Sequence, residues 1–93
     1  MIIPKTFTIF GHEYRVVFVD TLDSKDSVGE CLPMQNEIRI KKEMHISLQE
    51  QTYLHEIIHC ILTSLSYSKL NNDEVFVDQM AQCLHQILKS SKY

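Results

Sequence analysis

Apolar and polar residues alternate near the start of the chain, in the pattern of paired β-strands. The segment 6–10 alternates, Gly11-His12 interrupts it, and the segment 13–20 resumes with β-branched and aromatic residues. This pattern predicts a hairpin, with His12 serving only as a turn residue. The polar stretch 20–29 has no periodicity and predicts a loop.

Two shorter strand candidates follow, at Val28–Leu32 and Glu37–Ile40. The intervening Pro33-Met34-Gln35-Asn36 is typical of a turn. Because a proline at the end of a strand limits its hydrogen-bond ladder, Val28–Leu32 is predicted at an edge of the sheet, with one side unpaired. An exposed edge accepts an extended peptide in many recognition modules. An edge strand without any ligand is the alternative.

The hydrophobic period changes to three and four residues in the second half of the chain, which predicts a helix from Ser47 to about Leu65. Ser47 and Glu50 match a capping box, in which Glu50 reaches back to the start of the helix. His45 precedes this cap and is predicted to be solvated. The apolar stripe expected to pack on the sheet comprises Leu54, Ile57, Ile58, Ile61, Leu62 and Leu65.

A connection over residues 66–70 leads to a second predicted helix, which opens at Asn71-Asn72-Asp73-Glu74 and runs to about Lys89. Its expected buried face comprises Phe76, Val77, Met80, Ala81, Leu84, Ile87 and Leu88. Together these elements predict one α+β domain over residues 1–93: a small, twisted, mostly antiparallel sheet with one helix packed on it and a second helix at the C-terminal end.

Composition narrows the class of protein. A chain of 93 residues has room for one domain with a small core. The net charge of -3, with lysines scattered among acidic residues, leaves no basic face and argues against nucleic acid as a ligand. The first residues lack the order of a signal peptide, and no apolar run approaches membrane-spanning length. We therefore expect a cytoplasmic protein that does not bind membranes.

The cysteines Cys31, Cys60 and Cys83 are odd in number, far apart and without a Cys-x-x-Cys pair. This pattern argues against a disulfide framework and against a zinc ribbon, so reduced, half-buried thiols are predicted. Alternatively, Cys31 lies near a metal ion and its thiolate caps an open coordination position.

The segment His55-Glu56-Ile57-Ile58-His59 has the pattern His-Glu-x-x-His. On a helix the two histidines face the same side, with β-carbons about 5–6 Å apart, within reach of one ion. Zinc takes neutral imidazole nitrogens at about 2.0–2.1 Å and, in catalytic sites, keeps one position for water. Glu56 points about 100° round the helix, where it can take a proton from zinc-bound water as a general base.

Two histidines leave zinc one protein ligand short, and the candidates downstream are Asp73, Glu74, Asp78 and His85. Glu74 and Asp78 are four residues apart, so one carboxylate can bind the metal while the other accepts the second ring N–H of a ligating histidine. His85 lies about 16 Å from Glu74 along a helix, so both cannot bind one ion. The alternative role for Glu74 is capping the second helix.

The order His55-Glu56-Ile57-Ile58-His59 and then Glu74-Val75-Phe76-Val77-Asp78 resembles the gluzincin metallopeptidases, whose pattern is HExxH followed by ExxxD. The chain is most similar to the minimal, roughly hundred-residue members and to small phage-type metallopeptidases. The resemblance implies a zincin-like domain in which His55, His59 and Glu74 bind one Zn²⁺, Glu56 is general base and acid, and Asp78 orients His55.

The resemblance also implies that a peptide or protein substrate docks on the edge strand, which would be Val28, Gly29, Glu30, Cys31 and Leu32. Larger relatives have a further domain that closes the cleft. We expect no counterpart of it here, which leaves room for a partner protein to complete the site. Tyr67 is the candidate for stabilising an oxyanion, against the alternative of a surface tyrosine packed on the helix.

The sequence therefore predicts zinc-dependent peptide-bond hydrolysis. A zinc-stabilised interaction or regulatory module that does not cut its partner is the alternative. In that case Glu56 would be dispensable while the metal supported folding.

Overall fold

The first half of the chain forms a four-stranded sheet. The computed structural model describes residues 1–93. The strands are β1 (Thr6–Ile9), β2 (His12–Val19), β3 (Gly29–Leu32) and β4 (Glu37–Lys41), and a single 3₁₀ turn, Pro33–Gln35, joins the last two. The predicted hairpin, loop and two short strands are all present. His12, predicted as a turn residue, begins β2.

The strand order is β1-β2-β4-β3. The outer pairs β1/β2 and β3/β4 are antiparallel, whereas β2 and β4 at the centre are parallel, so the sheet is mixed. β4 lies between β2 and β3 because it carries Ile38 and Ile40, which are completely buried. β3 is left at the edge, paired on one side only, as its terminal proline predicts.

Three helices follow: α1 (Ile46–Ser64), the short α2 (Ser68–Asn71) and α3 (Glu74–Ser90). The predicted capping box at the start of α1 is wrong. His45 precedes the helix, and its Nδ1 accepts a hydrogen bond from the Ser47 amide at 3.2 Å, while Glu50 points into the protein. No helix has the length and apolarity needed to cross a membrane.

The core lies where α1 meets both the sheet and α3. Because α1 is covered from two directions, its buried residues extend around more of the helix than the single predicted stripe, and Ile61 and Leu65 remain exposed. On α3 the buried line is Val77, Ala81 and His85, spaced by four residues. The apolar core comprises Tyr14, Ile38, Ile40, Tyr53, Leu54, Ile58, Cys60, Leu62, Val77 and Ala81.

A buried ion pair links α1 to the far end of α3. The Glu50 carboxylate is 2% exposed and lies 2.8 Å from His85 Nε2, with Lys89 Nζ and the Met1 amino group each at 3.7 Å. The hydrogen bond with His85, helped by these positive charges, lowers the pKa of Glu50 although its burial opposes the shift. His85 is thereby occupied in the core, which removes it as a metal-ligand candidate.

We expect Glu50→Gln to lower the free energy of unfolding by about 1–3 kcal/mol at neutral pH, because the substitution removes the buried negative charge that interacts with His85. A carboxyl whose pKa is lowered by folding stabilises the native state above its unfolded pKa of 4.5, and this stabilisation is lost as pH falls through the lower, folded value. The difference in the free energy of unfolding between the parent and Glu50→Gln should therefore become smaller at acidic pH. Urea unfolding along a pH series, with Glu43→Gln as the exposed control, measures this. A deficit that is the same at every pH would contradict it.

The cysteines differ from the prediction. Cys31 of β3 and Cys60 of α1 form a disulfide, so they are not the reduced thiols that their spacing suggested, and only Cys83 is free and exposed. The two partners are far apart in sequence, and the packing of β3 on α1 brings them together. This bond fastens the edge strand to the helix that carries the two histidines.

Candidate metal centre and cavity

A cavity of about 650 Å³ opens between β3, α1 and the start of α3. One wall is the segment 26–31, which contains most of β3, and the opposite wall is α1 with His55, Glu56 and His59. Asn71, Glu74 and Asp78 complete it from α2 and α3. The cavity thus contains the paired histidines, the glutamate between them and both downstream carboxylates.

The predicted metal ligands meet at this cavity. His55 and His59 are one turn apart on α1, with ring centroids 4.9 Å from each other. His55 Nε2 lies 3.2 Å from Glu74 Oε2, and His59 Nε2 lies 3.1 Å from Glu74 Oε1. One ligand atom from each of these three residues lies within 4.8 Å of the others, so the group is able to hold a metal ion.

One outer group is hydrogen-bonded to a histidine ring and a second lies near the other ring. Asn71 donates through Nδ2 to Thr63 Oγ1 at 3.0 Å, which turns its carbonyl oxygen Oδ1 towards His59 Nδ1 at 2.6 Å. Because an amide oxygen only accepts, His59 carries its proton on Nδ1 and leaves the Nε2 lone pair free. On the other ring, His55 Nδ1 lies 3.5 Å from Asp78 Oδ1, which agrees with the orienting role expected of Asp78.

The donor set fits a divalent cation. A carboxylate oxygen and an imidazole lone pair repel each other when they face at about 3 Å, unless a positive charge lies between them. Here each oxygen of Glu74 faces a different ring nitrogen. A proton on each ring would satisfy the two contacts, and so would one metal ion, since neutral imidazole with carboxylate is a donor set that zinc accepts.

Glu56 is 7% exposed and lines the same cavity. No hydrogen bond or ion pair joins its carboxylate to another side chain, and its oxygens are open to the cavity, whereas the buried Glu50 is paired with His85. Burial raises the pKa of Glu56 to about 7, with smaller contributions from His59, which lowers it, and from Glu74 and Glu30, which raise it. A carboxyl with this pKa binds and releases protons near neutral pH, as a general base requires.

Only some of the remaining predicted site residues line the cavity. Val28, Gly29, Glu30 and Cys31 line the cavity, whereas Leu32 does not. Cys31 is bonded to Cys60 and is not among the clustered metal donors, so the prediction that its thiolate caps the metal is wrong. Tyr67 is 56% exposed and lies outside the cavity lining, so the structure does not bring it to the site.

Sequence reasoning overlooked Asn71 and misplaced the cap of α3. Asn71 reads as the opening of the second helix, but it ends α2, and its side chain reaches back to α1. The side chain of Asp73 caps α3 by accepting from the Phe76 amide at 3.1 Å, which leaves Glu74 free to face the histidines. The only available signal was a polar side chain in the connection before Glu74.

Comparisons with protein-family models, with curated proteins and with solved structures found no match to this chain. The assignment of a function therefore depends on the chemistry of the cavity and on the motif.

Proposed function

We propose that the chain is a zinc metallopeptidase in which His55, His59 and Glu74 hold one Zn²⁺. The convergence of two imidazole nitrogens and two carboxylate oxygens supports this, as does the resemblance of HExxH followed by ExxxD to the gluzincins. When bound, Zn²⁺ supplies Lewis acidity, which polarises a carbonyl and makes water more acidic. The protein residues then have to place a base, orient the ligands and present the peptide.

The base is Glu56, and this carboxylate is the observation that carries the proposal. Its carboxylate faces the cavity without a side-chain partner and is free to act on a water molecule there, which a site that served only for structure does not need. Glu56 accepts a proton from the attacking water and then transfers it to the amine that leaves when the peptide bond breaks. Burial raises the pKa of this carboxyl, which makes it a better proton acceptor, whereas the charge of a bound Zn²⁺ would lower the pKa.

The histidine partners keep the ligand set in one geometry. Asn71 holds His59 with its proton on Nδ1, and Asp78 lies beside the corresponding nitrogen of His55. The Nε2 atom of His59 is therefore presented as an electron-pair donor without rotation of the ring, and Asp78 is placed to do the same for His55 when the contact shortens. This arrangement is preorganised, since Asn71 is itself fixed by its bond to Thr63.

The substrate in this proposal is an extended peptide that adds to the free edge of β3. The backbone of β3 has one unpaired edge, and four of its five predicted docking residues line the cavity. A strand added there would form main-chain hydrogen bonds that do not depend on side-chain identity. The scissile bond would then lie beside Glu56.

Metal content and cleavage test the proposal together. We expect about one zinc per chain after purification with zinc present, and a melting temperature that falls when a chelator removes the metal, since a ligand of the native state stabilises it. A peptide-library digest followed by mass spectrometry should show new cleavage sites that the chelator abolishes. Absence of zinc would exclude the metal centre. Zinc binding without cleavage of any peptide would instead favour the non-catalytic interaction module.

A further inference from the structure

The two glycines of the chain stand in opposite surroundings. Gly11, in the β1–β2 turn, has φ of +80°, and a side chain there would meet nothing within 4 Å. Gly29, in β3, has no unusual φ, but a Cβ added to it would overlap the γ-methyl of Thr52 and lie 3.3 Å from both Cγ and Oε2 of Glu56. Glycine is therefore favoured at position 11 because of the backbone conformation. At position 29 it is favoured because there is no room for a side chain between β3 and α1.

The close approach at Gly29 belongs to a regular contact between strand and helix. Residues 29 and 31 lie on the same face of β3, because side chains alternate along a strand. Residues 52, 56 and 60 form one line on α1, because they are spaced by four. Gly29 lies against Thr52 and Glu56, and Cys31 is bonded to Cys60, so the two elements match along this line.

The Glu56 side chain thus packs closely against the edge strand at Gly29. No side chain bonds to its carboxylate, which is open to the cavity, so packing against its neighbours decides where it lies. The nearest part of β3 is the residue without a side chain. A larger residue there would have to move β3 away from α1 or push the Glu56 side chain aside.

We propose that Gly29 is the positioning residue for Glu56: its missing side chain lets β3 close over α1 and holds the catalytic carboxylate at the cavity wall. The proposal rests on the proposed function, because Glu56 matters to activity only if it is the base. It makes a specific distinction between two parts of the site. Gly29 acts on the base and leaves the metal ligands, which face α3, unaffected.

The central test is Gly29→Ala in the full chain. We expect kcat to fall about 10–100-fold, the size of effect that an ångström-scale misplacement of a catalytic group produces. Zinc affinity, titrated against a competing chelator, should stay within about threefold of the parent, well below the loss of about 10–100-fold that follows damage to an outer ligand partner. The combination separates misplacement of Glu56 from damage to the metal centre.

A second substitution tests whether space is the reason. Thr52→Ser removes the γ-methyl that the added Cβ would overlap, so Gly29→Ala with Thr52→Ser should recover most of the lost kcat. The matched control is Gly11→Ala, which strains the backbone in a turn remote from the cavity and should lower the melting temperature while kcat stays at the parent level. Thermal unfolding of all the variants separates loss of fold from loss of activity.

Solution NMR of the metal-free proteins supplies a readout independent of catalysis. We expect nuclear Overhauser contacts from the Gly29 α-protons to the Thr52 γ-methyl and the Glu56 γ-protons in the parent. In Gly29→Ala the Glu56 γ-proton shifts should change while the His55 and His59 ring shifts persist. If Gly29→Ala does not fold, the Gly29→Ala/Thr52→Ser protein carries the same comparison.

Three results would overturn the proposal. The first is a folded Gly29→Ala protein with the kcat of the parent, and the second is a loss of zinc affinity as large as the loss of kcat. The third is a folded Gly29→Ala/Thr52→Ser protein whose kcat is no higher than that of Gly29→Ala. If the parent itself cleaves no peptide, the proposed function fails. The positioning of Glu56 by Gly29 is then decided by the NMR contacts, and their absence would refute it.

Discussion

Glu56→Gln is expected to abolish most of the peptide cleavage while leaving zinc affinity unchanged. An amide of almost the same shape cannot accept the proton of the attacking water, and general-base catalysis contributes about 10²–10⁴-fold to rate, so kcat should fall by about that factor. The three proposed ligands and their partners Asn71 and Asp78 are untouched. Cleavage of one peptide selected from the library digest, followed over time, measures the loss.

The same substitution should raise or maintain stability. In the native protein Glu56 is 7% exposed at the cavity wall, and its ionised form is penalised by this desolvation. A neutral amide avoids this penalty, so the melting temperature of Glu56→Gln should equal or exceed that of the parent. Glu13→Gln, an exposed residue of the hairpin, is the control for loss of one charge. Turnover at the parent rate in Glu56→Gln would exclude Glu56 as the base.

Glu74→Gln is expected to weaken zinc binding by more than about 100-fold, beyond the range of about 10–100-fold that is typical for groups behind a ligand. A neutral amide is a poor ligand for zinc compared with a carboxylate. The helix should survive, because the cap of α3 is supplied by Asp73 and not by Glu74. Titration against a chelator gives the affinity, and circular dichroism checks the helix content.

Three further variants serve as comparisons for the zinc affinity of Glu74→Gln. Asp73→Asn makes the same change of charge at the adjacent residue and keeps a side chain that caps a helix well, so its zinc affinity should match the parent. Asp78→Asn and Asn71→Ala remove groups behind the histidines and should each weaken binding by about 10–100-fold. If Glu74→Gln binds zinc as tightly as the parent, the assignment of the third ligand is wrong, and with it the likeness to the gluzincin pattern.

The parts of this site that follow from local periodicity were predictable from the sequence. The spacing of His55 and His59 places both rings on one face of any helix, and the apolar pattern of residues 54–62 indicates that helix clearly. Glu74 and Asp78 follow the same rule at the start of α3. Each of these predictions needs only the geometry of one helix, and the fold brings the two helices together at the cavity.

The features that the sequence did not reveal all depend on contacts between distant segments. The parallel pairing of β2 with β4, the burial of Glu50 against His85 and the bond between Cys31 and Cys60 each join residues at least 22 positions apart. Their local patterns favour other structures, namely antiparallel pairing, a capping box and free thiols. Burial of the apolar faces decides between these alternatives, and a one-dimensional pattern does not contain it.

The place of Glu74 in the chain has a consequence for how an ion would enter and leave. Glu74 is the first residue of α3, and its side chain is 68% exposed. The ends of helices open far more often than the core, through small fluctuations that leave the rest of the molecule intact. Release of the proposed zinc would therefore need only the Glu74 side chain to swing away at the exposed start of α3, with the sheet and the core contact of Val77 preserved. Metal exchange would then proceed much faster than global unfolding.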